Sequence, residues 1–318
     1  MRAEREGVRG KRQGGRGKGG AGCVIKNEEG DMKKVKIRKT ALMVVFIMAA
    51  AGLFAVPSFA LFDVEGGWLP EKAEDMPEIS ASQAFFTKYI WRGWNLGDEP
   101  VMQNDVTLSW YGLSFNFWTN YSLNNDKEKD SGRYQEFTEI DYTISYGFNV
   151  GEAAEFFSVD MPEALRPIGI SGGYIYYTFP NVDWNDKFFD SHEIFLGVSY
   201  DTFLSPEFTW YWDVGRGKGN SDGGGNGSYF EFGISHTVDL GETGASATLG
   251  MTTGIINEQW TDKTGLGDMV FSLGVDIPLL NYFTVTPSVA YSVVPDRDVY
   301  NDNSSNEFFG GITVSFSY

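Results

Sequence analysis

Cysteine is almost absent from this chain, and histidine is scarce. The single cysteine is Cys23, and the two histidines are His192 and His236. One cysteine cannot build a disulfide framework, so an exported form of the chain must close its structure by packing and backbone hydrogen bonds. A Ser-His hydrolase needs a histidine beside its nucleophile, and only two positions could supply one. We expect no cofactor.

Long apolar runs are also missing, apart from one near the amino terminus. This run covers residues 41–56, follows a basic cluster at 33–39 and precedes Ser58-Phe59-Ala60, a small-x-small cleavage pattern. It is shorter than the ~20 residues that a membrane helix needs. The order of basic, apolar and small-residue segments is typical of a secretory signal peptide, and we predict cleavage after Ala60.

The segments on either side of this signal are not expected to belong to the fold. Met32 directly precedes the basic cluster, so residues 32–60 form the predicted signal peptide and residues 1–31 a mis-called upstream extension. A basic nucleic-acid-binding tail is the alternative for residues 1–31. Residues 61–80 are acidic and aperiodic, which predicts a flexible lead before a folded domain at 81–318.

Basic residues are few once the signal peptide is removed. The chain has 25 Lys and Arg and 43 Asp and Glu, and the first sixty residues hold 13 and 5 of these. The remaining 258 residues carry 12 basic and 38 acidic groups, a formal net charge of −26. This charge argues against nucleic acid as a partner, because phosphates are bound by Lys and Arg. It suits small cations and soluble loops.

Alternation of apolar and polar residues dominates what is present. In the final segment, 307–318, every second residue counted back from Tyr318 is apolar or glycine, and those between are mostly small or polar. This period of two predicts a strand with one apolar face, and in a transmembrane barrel it would be the closing strand. The ending also resembles the C-terminal assembly signal of bacterial outer-membrane proteins, which implies recognition by the outer-membrane insertion machinery.

Strand-like runs separated by turn signals continue through residues 81–318. Long polar connections follow the odd-numbered runs and short ones mostly follow the even runs, which is the rhythm of outer loops and periplasmic turns in bacterial barrels. A soluble β-sandwich also alternates, but it rarely needs this rhythm. We therefore predict an all-β fold, a transmembrane antiparallel up-and-down β-barrel of about 12 strands in the outer membrane of a Gram-negative cell. The predicted strands are 82–92, 101–110, 113–122, 134–146, 167–178, 191–201, 206–215, 228–238, 245–256, 268–277, 283–294 and 307–318.

Three kinds of connecting segment need separate interpretations. Residues 147–166 should be a short turn, and instead leave room for a small helix around 152–157 or for an overlooked pair of strands. The glycine-rich segment 215–227 resembles a phosphate loop, but a strand rather than a helix follows it, so we interpret it as an outer loop. Acidic clusters within 183–186 and 296–302 could hold Ca²⁺ weakly, and solvated loop charge is the preferred interpretation.

Charged residues on the inward face of the predicted strands define a candidate pore. Carboxylates in an apolar wall are costly unless they meet water or cations, so this set predicts a wet lumen, and rings of Asp and Glu favour cations. A plugged lumen, in which the two bases pair with acids and brace the wall, is the alternative. Inward aromatic residues that would narrow the pore are Trp118, Phe137, Phe195 and Phe309. The predicted pore-lining residues are Lys88, Arg92, Asp105, Glu139, Asp141, Glu193, Glu207, Asp213, Glu231, Asp276 and Glu307.

One stretch near the start of the domain resembles a known family. It carries Tyr-Ile-Trp-Arg-Gly at 89–93 and Asp-Glu-Pro-Val at 98–101, followed by Gln103, Gly112 and Trp118. Later segments with the same likeness lie at 139–142, 173–180 and 193–200. Together these segments are similar to the TorF-like porins, over about residues 85–211. The resemblance implies an outer-membrane barrel without catalytic residues, whose solute is not established.

Three functions are compatible with these observations. We predict an outer-membrane channel for passive diffusion of small solutes, with a preference for cations. The channel should be narrow, because twelve strands lie between filled eight-stranded and open sixteen-stranded barrels. A closed barrel that serves as a surface anchor or binding protein is the second. An enzyme is the third, and it is disfavoured because His192 and His236 lie on the same face of their strands as the lipid-facing residues, near strand ends. Expected partners are outer-membrane lipid, the insertion machinery and small solutes.

Overall fold

The computed structural model describes residues 76–124, 135–180, 190–215, 226–280 and 282–318. The predicted signal peptide, the upstream extension and most of the acidic lead lie outside these residues. No helix within the described ranges is long and apolar enough to cross a membrane.

The described residues form fourteen strands, and twelve of these close into one antiparallel barrel. In chain order the strands are β1 (Glu78–Phe86), β2 (Tyr89–Trp91), β3 (Trp94–Gly97), β4 (Val101–Trp110), β5 (Leu113–Ser122), β6 (Phe137–Asn149), β7 (Ile168–Thr178), β8 (Ser191–Tyr200), β9 (Glu207–Asp213), β10 (Ser228–Asp239), β11 (Ser246–Asn257), β12 (Thr264–Leu280), β13 (Phe283–Val293) and β14 (Glu307–Ser317). β2 and β3 form a separate hairpin, and the other strands follow one another around the ring until β14 pairs with β1. The barrel is therefore up-and-down, as predicted.

Apolar side chains cover the outer wall of this barrel. Phe308, Ile312 and Val314 alternate along β14 and are 64%, 51% and 40% exposed. Leu108 on β4 and Phe117 on β5 are exposed in the same way. A soluble sandwich would bury such residues between its sheets, whereas a closed barrel that turns them outward is the form in which strands cross a bacterial outer membrane. The predicted fold and its location in the outer membrane are confirmed.

The first predicted strand was wrong. The sequence predicts a strand over 82–92, whereas β1 covers Glu78–Phe86 and begins inside the predicted acidic lead. The chain then leaves the wall, and residues 87–100, here called the lumen hairpin, carry β2 and β3. Arg92 and Gly93, with φ angles of 47° and 78°, turn the chain back. Aromatic side chains of this hairpin pack inside the lumen instead of against lipid, a difference that a period of two does not reveal.

The remaining predicted strands lie close to the observed ones. β4 and β5 match the predicted 101–110 and 113–122 residue for residue. β12 is longer than predicted, since it covers Thr264–Leu280 instead of 268–277. Periodic segments bounded by clear turn residues are therefore the best-predicted part of the fold.

The irregular connection between β6 and β7 contains helices. Helix α1 covers Val150–Phe156, and a 3-10 helix covers Glu163–Leu165. The Asn149 side chain caps α1 by accepting a hydrogen bond from the Glu152 backbone N–H at 3.1 Å. The predicted small helix is confirmed, and the described residues between β6 and β7 contain no additional strands.

A β-bulge reverses the predicted direction of one aromatic side chain. Phe137 is two residues from the inward Glu139, so simple alternation places it in the lumen. The register between β5 and β6, however, shifts between Asn120 and Tyr121. This shift pairs Phe137 with Tyr121, and the two rings pack at 5.1 Å between centroids. Phe137 is 43% exposed on the outer wall. The extra residue of a bulge offsets the alternation, so the inward assignment of Phe137 was wrong.

Backbone hydrogen bonds close the seam where β14 meets β1, and aromatic contacts hold β14 on its other side. Ile79 and Tyr318 exchange two backbone hydrogen bonds of 2.9 Å. Phe316 packs against Phe283 at 5.4 Å between ring centroids, and Tyr318 packs against Tyr282 at 5.5 Å. These contacts join the last turn of the barrel to its carboxy-terminal strand, at the level of the aromatic girdle.

We expect the combination of Phe316→Ser and deletion of Tyr318 to prevent closure of most barrels. It removes the seam hydrogen bonds at Ile79, and it replaces the Phe316 ring, which packs on Phe283, by a small polar side chain on the lipid-facing wall. The folded fraction, measured as heat-modifiable gel mobility after refolding, should fall several-fold. Ser317→Ala is the control, because it changes the neighbouring residue and keeps the seam. Unchanged assembly of the double variant would refute the lipid-facing assignment of Phe316.

Candidate functional site

The lumen hairpin fills the barrel near its long-loop end. Tyr89 donates a hydrogen bond from its hydroxyl to Glu139 Oε2 on β6 at 2.9 Å, and its ring packs against Trp118 on β5 at 5.7 Å. Trp91 packs edge-on against Trp260, between β11 and β12, at 6.2 Å. The hairpin is therefore held by well-separated parts of the wall.

Arg92 lies at the tip of the hairpin and forms the central ion pair of the lumen. Its two terminal nitrogens donate to both carboxylate oxygens of Glu193 on β8, Nη1 to Oε1 at 2.7 Å and Nη2 to Oε2 at 3.0 Å. Gln259 accepts from Nη1 at 3.0 Å and donates to Glu193 Oε1 at 2.6 Å. Tyr177 donates to Glu193 Oε2 at 2.8 Å. The pair is bidentate, and both carboxylate oxygens receive a second donor.

Aromatic rings enclose the guanidinium of Arg92. Its central carbon lies 4.6 Å from the ring centre of Trp91, 4.2 Å from that of Tyr211 and 4.5 Å from that of Tyr229. The Arg92 side chain is 7% exposed, and the Glu193 side chain is fully buried. Cation–π contacts strengthen when they are removed from water, and a buried pair is costly to break by removing one partner. Arg92 is therefore the anchor of the hairpin.

The loop between β13 and β14 packs on the hairpin from another side. Its 3-10 helix, Arg297–Tyr300, ends on Tyr300, which is fully buried. The Tyr300 hydroxyl donates to the Arg92 backbone carbonyl at 2.9 Å, and its ring packs edge-on against Trp94 at 4.9 Å. This contact fixes the backbone of the hairpin tip, whereas Glu193 fixes its side chain.

Gly93 has no room for a side chain. Its φ of 78° is favourable for glycine, and its carbonyl oxygen accepts a hydrogen bond from the Ser304 hydroxyl. A Cβ at this position would overlap the Tyr300 hydroxyl and lie 2.9 Å from Asp268 Cβ. Asp268 is itself held by the Tyr229 hydroxyl, which donates to Oδ1 at 2.8 Å. The hairpin tip therefore fits a pocket whose walls are already hydrogen-bonded.

Lys88 ties the base of the hairpin to the wall. Its Nζ lies 2.6 Å from Glu307 Oε2 on β14 and 3.0 Å from Asp98 Oδ1 on the hairpin. Hydrogen bonds to Glu307 and then to Asp98 raise the pKa of Lys88, and hydrogen bonds from Asn95 and then from Lys88 lower the pKa of Asp98. The stability that charged Lys88 contributes to the folded state is lost as pH rises through its raised pKa. The stability that charged Asp98 contributes is lost as pH falls through its lowered pKa. The contact therefore persists at neutral pH.

All nine predicted lumen acids lie on the inward side of their strands, but they occupy two environments. Glu139, Asp141, Glu193 and Asp213 are buried at 4%, 9%, 0% and 0% exposure beside the hairpin. The prediction of a wet lumen was wrong at this level, because aromatic side chains of the hairpin fill the space, as in the plugged alternative. The partly or fully exposed acids are Asp105, Glu207, Glu231, Asp276 and Glu307.

The two basic residues reach the lumen by a different route from the predicted one. Lys88 and Arg92 were assigned to the first strand, and both instead belong to the lumen hairpin. Each is paired with an acid of the wall, as the bracing alternative expects. Of the predicted narrowing aromatic residues, Trp118, Phe195 and Phe309 do face inward.

Several residues that build this site are missing from the predicted set. Asp268 lies on the same face of β12 as Asp276, so the alternating pattern of that strand could have identified it. Tyr229 likewise lies on the same face of β10 as Glu231. Gln259 and Tyr300 lie in loops, where no periodic signal exists, and only the folded chain brings them to Arg92.

Both histidines lie on the outer wall, as predicted. His192 stacks on Tyr176 at 4.7 Å between ring centroids and is hydrogen-bonded to the Tyr174 hydroxyl. His236 Nδ1 lies 2.7 Å from the carbonyl oxygen of Phe203, in the turn between β8 and β9. Neither ring is directed toward the lumen.

The acidic loop clusters show no cation site where they are described. Asp296 accepts a hydrogen bond from the Asp298 backbone N–H at 3.1 Å and caps the 3-10 helix. Asp183, Asp186 and most of the glycine-rich segment 215–227 lie outside the described residues. Within the described ranges, no group of three or more His, Cys, Asp or Glu residues is arranged to hold a metal ion.

Comparisons with known proteins find likeness only to solved structures, at low sequence identity. No family model and no curated protein matches it. The NanC porin has a TM-score of 0.45 and 11% identity over 75% of this chain and 98% of its own. An outer-membrane channel from Pseudomonas putida F1 has a TM-score of 0.42 and 9% identity over 80% and 100%. Outer membrane phospholipase A from Escherichia coli has a TM-score of 0.42 and 14% identity over 74% and 92%.

Proposed function

We propose that this chain is an outer-membrane channel for passive diffusion of small solutes, with the lumen hairpin as its constriction. The observation that carries the proposal is the buried Arg92–Glu193 ion pair, which joins the tip of the lumen hairpin to the barrel wall. A permanently sealed barrel is more simply filled by apolar side chains, which are often as stable as a buried ion pair or more so. A polar contact, by contrast, can exchange its partners for water when the hairpin moves.

The inner wall toward the turn end supports a water-filled passage below the hairpin. Inward positions there hold small and hydroxyl side chains that are partly exposed, and such groups are satisfied by water at low cost. Examples from five strands are Thr107, Ser145, Ser171, Thr209 and Ser288.

We further propose that the passage prefers cations. Lys88 and Arg92 are each paired with an acid, whereas Asp105 and Asp276 accept hydrogen bonds from neutral groups. Asn116 donates to Asp105 Oδ2 at 2.7 Å. The uncompensated negative charge raises the local cation concentration, and it does so more strongly at low ionic strength.

Planar-bilayer recordings test the channel and its selectivity together. We expect the refolded barrel to carry current mainly by cations under a salt gradient. Asp105→Asn combined with Asp276→Asn should bring the reversal potential closer to zero, because it removes two inward charges. The control is Asp201→Asn with Glu242→Gln, which removes two exposed charges from turns and should leave the reversal potential unchanged.

Two outcomes would contradict this proposal in different ways. Preference for anions, or equal effects of the two double variants, would contradict the proposed cation preference. The proposal that the barrel is a channel would still stand. Absence of current from the wild type and from variants that release the hairpin would favour the second function, a closed barrel that anchors or binds at the cell surface.

We also propose the export route and the family likeness that the sequence indicates. Residues 32–60 would be removed after Ala60, residues 1–31 would not be part of the translated protein, and β14 would be read by the insertion machinery. The TorF-like resemblance implies an outer-membrane barrel, and residues 89–93, which carry part of that resemblance, belong to the lumen hairpin. The charged Arg92 within that segment is the residue that the constriction depends on.

A further inference from the structure

The outer wall carries a groove that the proposed channel does not use. It has a volume of about 690 Å³ and lies on β4 to β8, between two neighbouring rows of outward side chains. The sheet register defines the first row, in which each residue is paired with the next. This row consists of Val106, Phe117, Tyr142, Tyr176 and His192.

Four rings of the first row contact one another in sequence, tilted at Phe117–Tyr142 and stacked from Tyr142 to His192. The ring centroids of Phe117 and Tyr142 are 5.4 Å apart, those of Tyr142 and Tyr176 are 6.4 Å apart, and those of Tyr176 and His192 are 4.7 Å apart. Because each ring already packs on its neighbour, these side chains form a ready-made apolar surface along one side of the groove.

The second row lies one pair of residues closer to the turn end and mixes two aliphatic with two aromatic side chains. Leu108 pairs with Phe115, Phe115 with Ile144, and Ile144 with Tyr174. These side chains are 38–50% exposed, which makes them available to a ligand between the rows. The body of the groove is therefore apolar on both sides.

Polar groups close the groove at its β8 end. The Tyr174 hydroxyl and His192 Nδ1 are hydrogen-bonded and so bridge the two rows. The Tyr176 hydroxyl donates to Asp190 Oδ2 at 2.9 Å beside them. These groups lie at the long-loop ends of β7 and β8, at the level where amphipathic rings meet lipid headgroups.

We propose that this groove binds one acyl chain of an outer-leaflet lipid, with the polar end of the lipid beside His192. Five strands about 4.8 Å apart give a groove of roughly 19 Å, which crosses the membrane obliquely because barrel strands are tilted. That length is comparable to half of the ~30 Å hydrocarbon core, the depth of one leaflet. The long-loop end faces outward in bacterial barrels, so the polar end of the groove opens to the outer leaflet.

An unbranched chain fits this shape better than a protein does. A narrow groove between two rows of side chains admits a flexible chain along its whole length and buries apolar surface on both sides. A second copy of this barrel would present a convex wall, which meets the rims of the groove without filling it. The acyl chain is therefore the occupant that the geometry favours.

Lipid retention by the purified barrel tests the groove. The protein is extracted from outer membranes in mild detergent, and mass spectrometry of an organic extract measures acylated lipid per barrel. We expect Val106→Trp, which fills the groove from the first row, to lower retained lipid several-fold relative to the wild type. Val289→Trp is the matched control, because Val289 is 44% exposed on the outer wall of β13, away from the groove.

A second pair of variants keeps the test independent of folding defects. His192→Phe preserves a ring beside Tyr176 and removes the bridge to Tyr174, so retained lipid should fall less than in Val106→Trp. If Val106→Trp loses heat-modifiable mobility, Ile144→Phe replaces it in the test, because it fills the groove from the second row and should also lower retained lipid. Equal lipid retention by folded Val106→Trp and Val289→Trp would overturn the proposal. A wild-type oligomer in detergent that Val106→Trp dissociates would overturn it too, and would assign the groove to a second copy.

Discussion

Replacing Arg92 by Met is expected to release the lumen hairpin and to raise the single-channel conductance several-fold. The substitution keeps a long apolar stem and removes both hydrogen bonds to Glu193 and the contact with the Tyr211 ring. It leaves Glu193 buried without its counter-charge, and breaking a buried pair in this way costs on the order of 3–5 kcal/mol. That cost falls if the hairpin moves away and lets water reach the Glu193 carboxylate. Planar-bilayer recordings in symmetric salt measure the change.

Two further variants separate charge from packing at this pair. Arg92→Lys keeps the charge but cannot form the bidentate contact, so it should raise conductance less than Arg92→Met does. Arg92→Met combined with Glu193→Met replaces both charges by apolar groups and should partly restore the closed state. Conductance equal to that of the wild type in Arg92→Met barrels of normal gel mobility would show that the ion pair does not hold the constriction.

Gly93→Ala is expected to open the lumen by steric exclusion rather than by loss of charge. The added Cβ would overlap the Tyr300 hydroxyl and lie 2.9 Å from Asp268 Cβ, and Tyr300 is fully buried and held by its contacts with Trp94 and the Arg92 carbonyl. The hairpin tip therefore cannot return to its place, although Arg92 and Glu193 are both intact. Conductance should rise to a level similar to that of Arg92→Met in the same recordings.

Gly241→Ala is the matched control for backbone strain. Gly241 has a φ of 82°, close to that of Gly93, and an added Cβ would meet nothing within 4 Å. Both substitutions carry a left-handed penalty of roughly 1–2 kcal/mol, so only the collision distinguishes them. Wild-type conductance in Gly241→Ala and raised conductance in Gly93→Ala would assign the effect to the hairpin. The same conductance in both variants would remove the steric explanation.

The barrel wall is the part of this structure that the sequence predicts well. β4 and β5 are bounded by the turn at Tyr111-Gly112 and alternate without interruption, so their limits and faces follow directly from a period of two. The same alternation places Asp105 and Glu193 on the inward face, where the structure has them. A wall that is lipid on one side and polar on the other imposes this pattern on every strand.

The lumen hairpin could not be predicted in the same way. Residues 87–92 continue the alternation of β1, so nothing local marks the point at which the chain leaves the wall. The residues that hold Arg92 there include Gln259 and Tyr300, which lie in loops and are brought to the lumen only by closure of the ring. Phe137 failed for a different reason, since one bulge residue reverses the faces of a strand.

The lumen hairpin follows β1 in the chain, yet its partners lie far along the sequence. Arg92 meets Glu193 at a separation of 101 residues and Tyr300 at 208, and Lys88 meets Glu307 at 219. Contacts at such separations form late, because loop closure costs entropy before the contact is gained. An unfinished barrel, open between β1 and β14, can hold neither end of the hairpin in place. If the hairpin is the constriction of a channel, incomplete assembly should leave the lumen without it, and a formed constriction would mark a barrel that has finished folding.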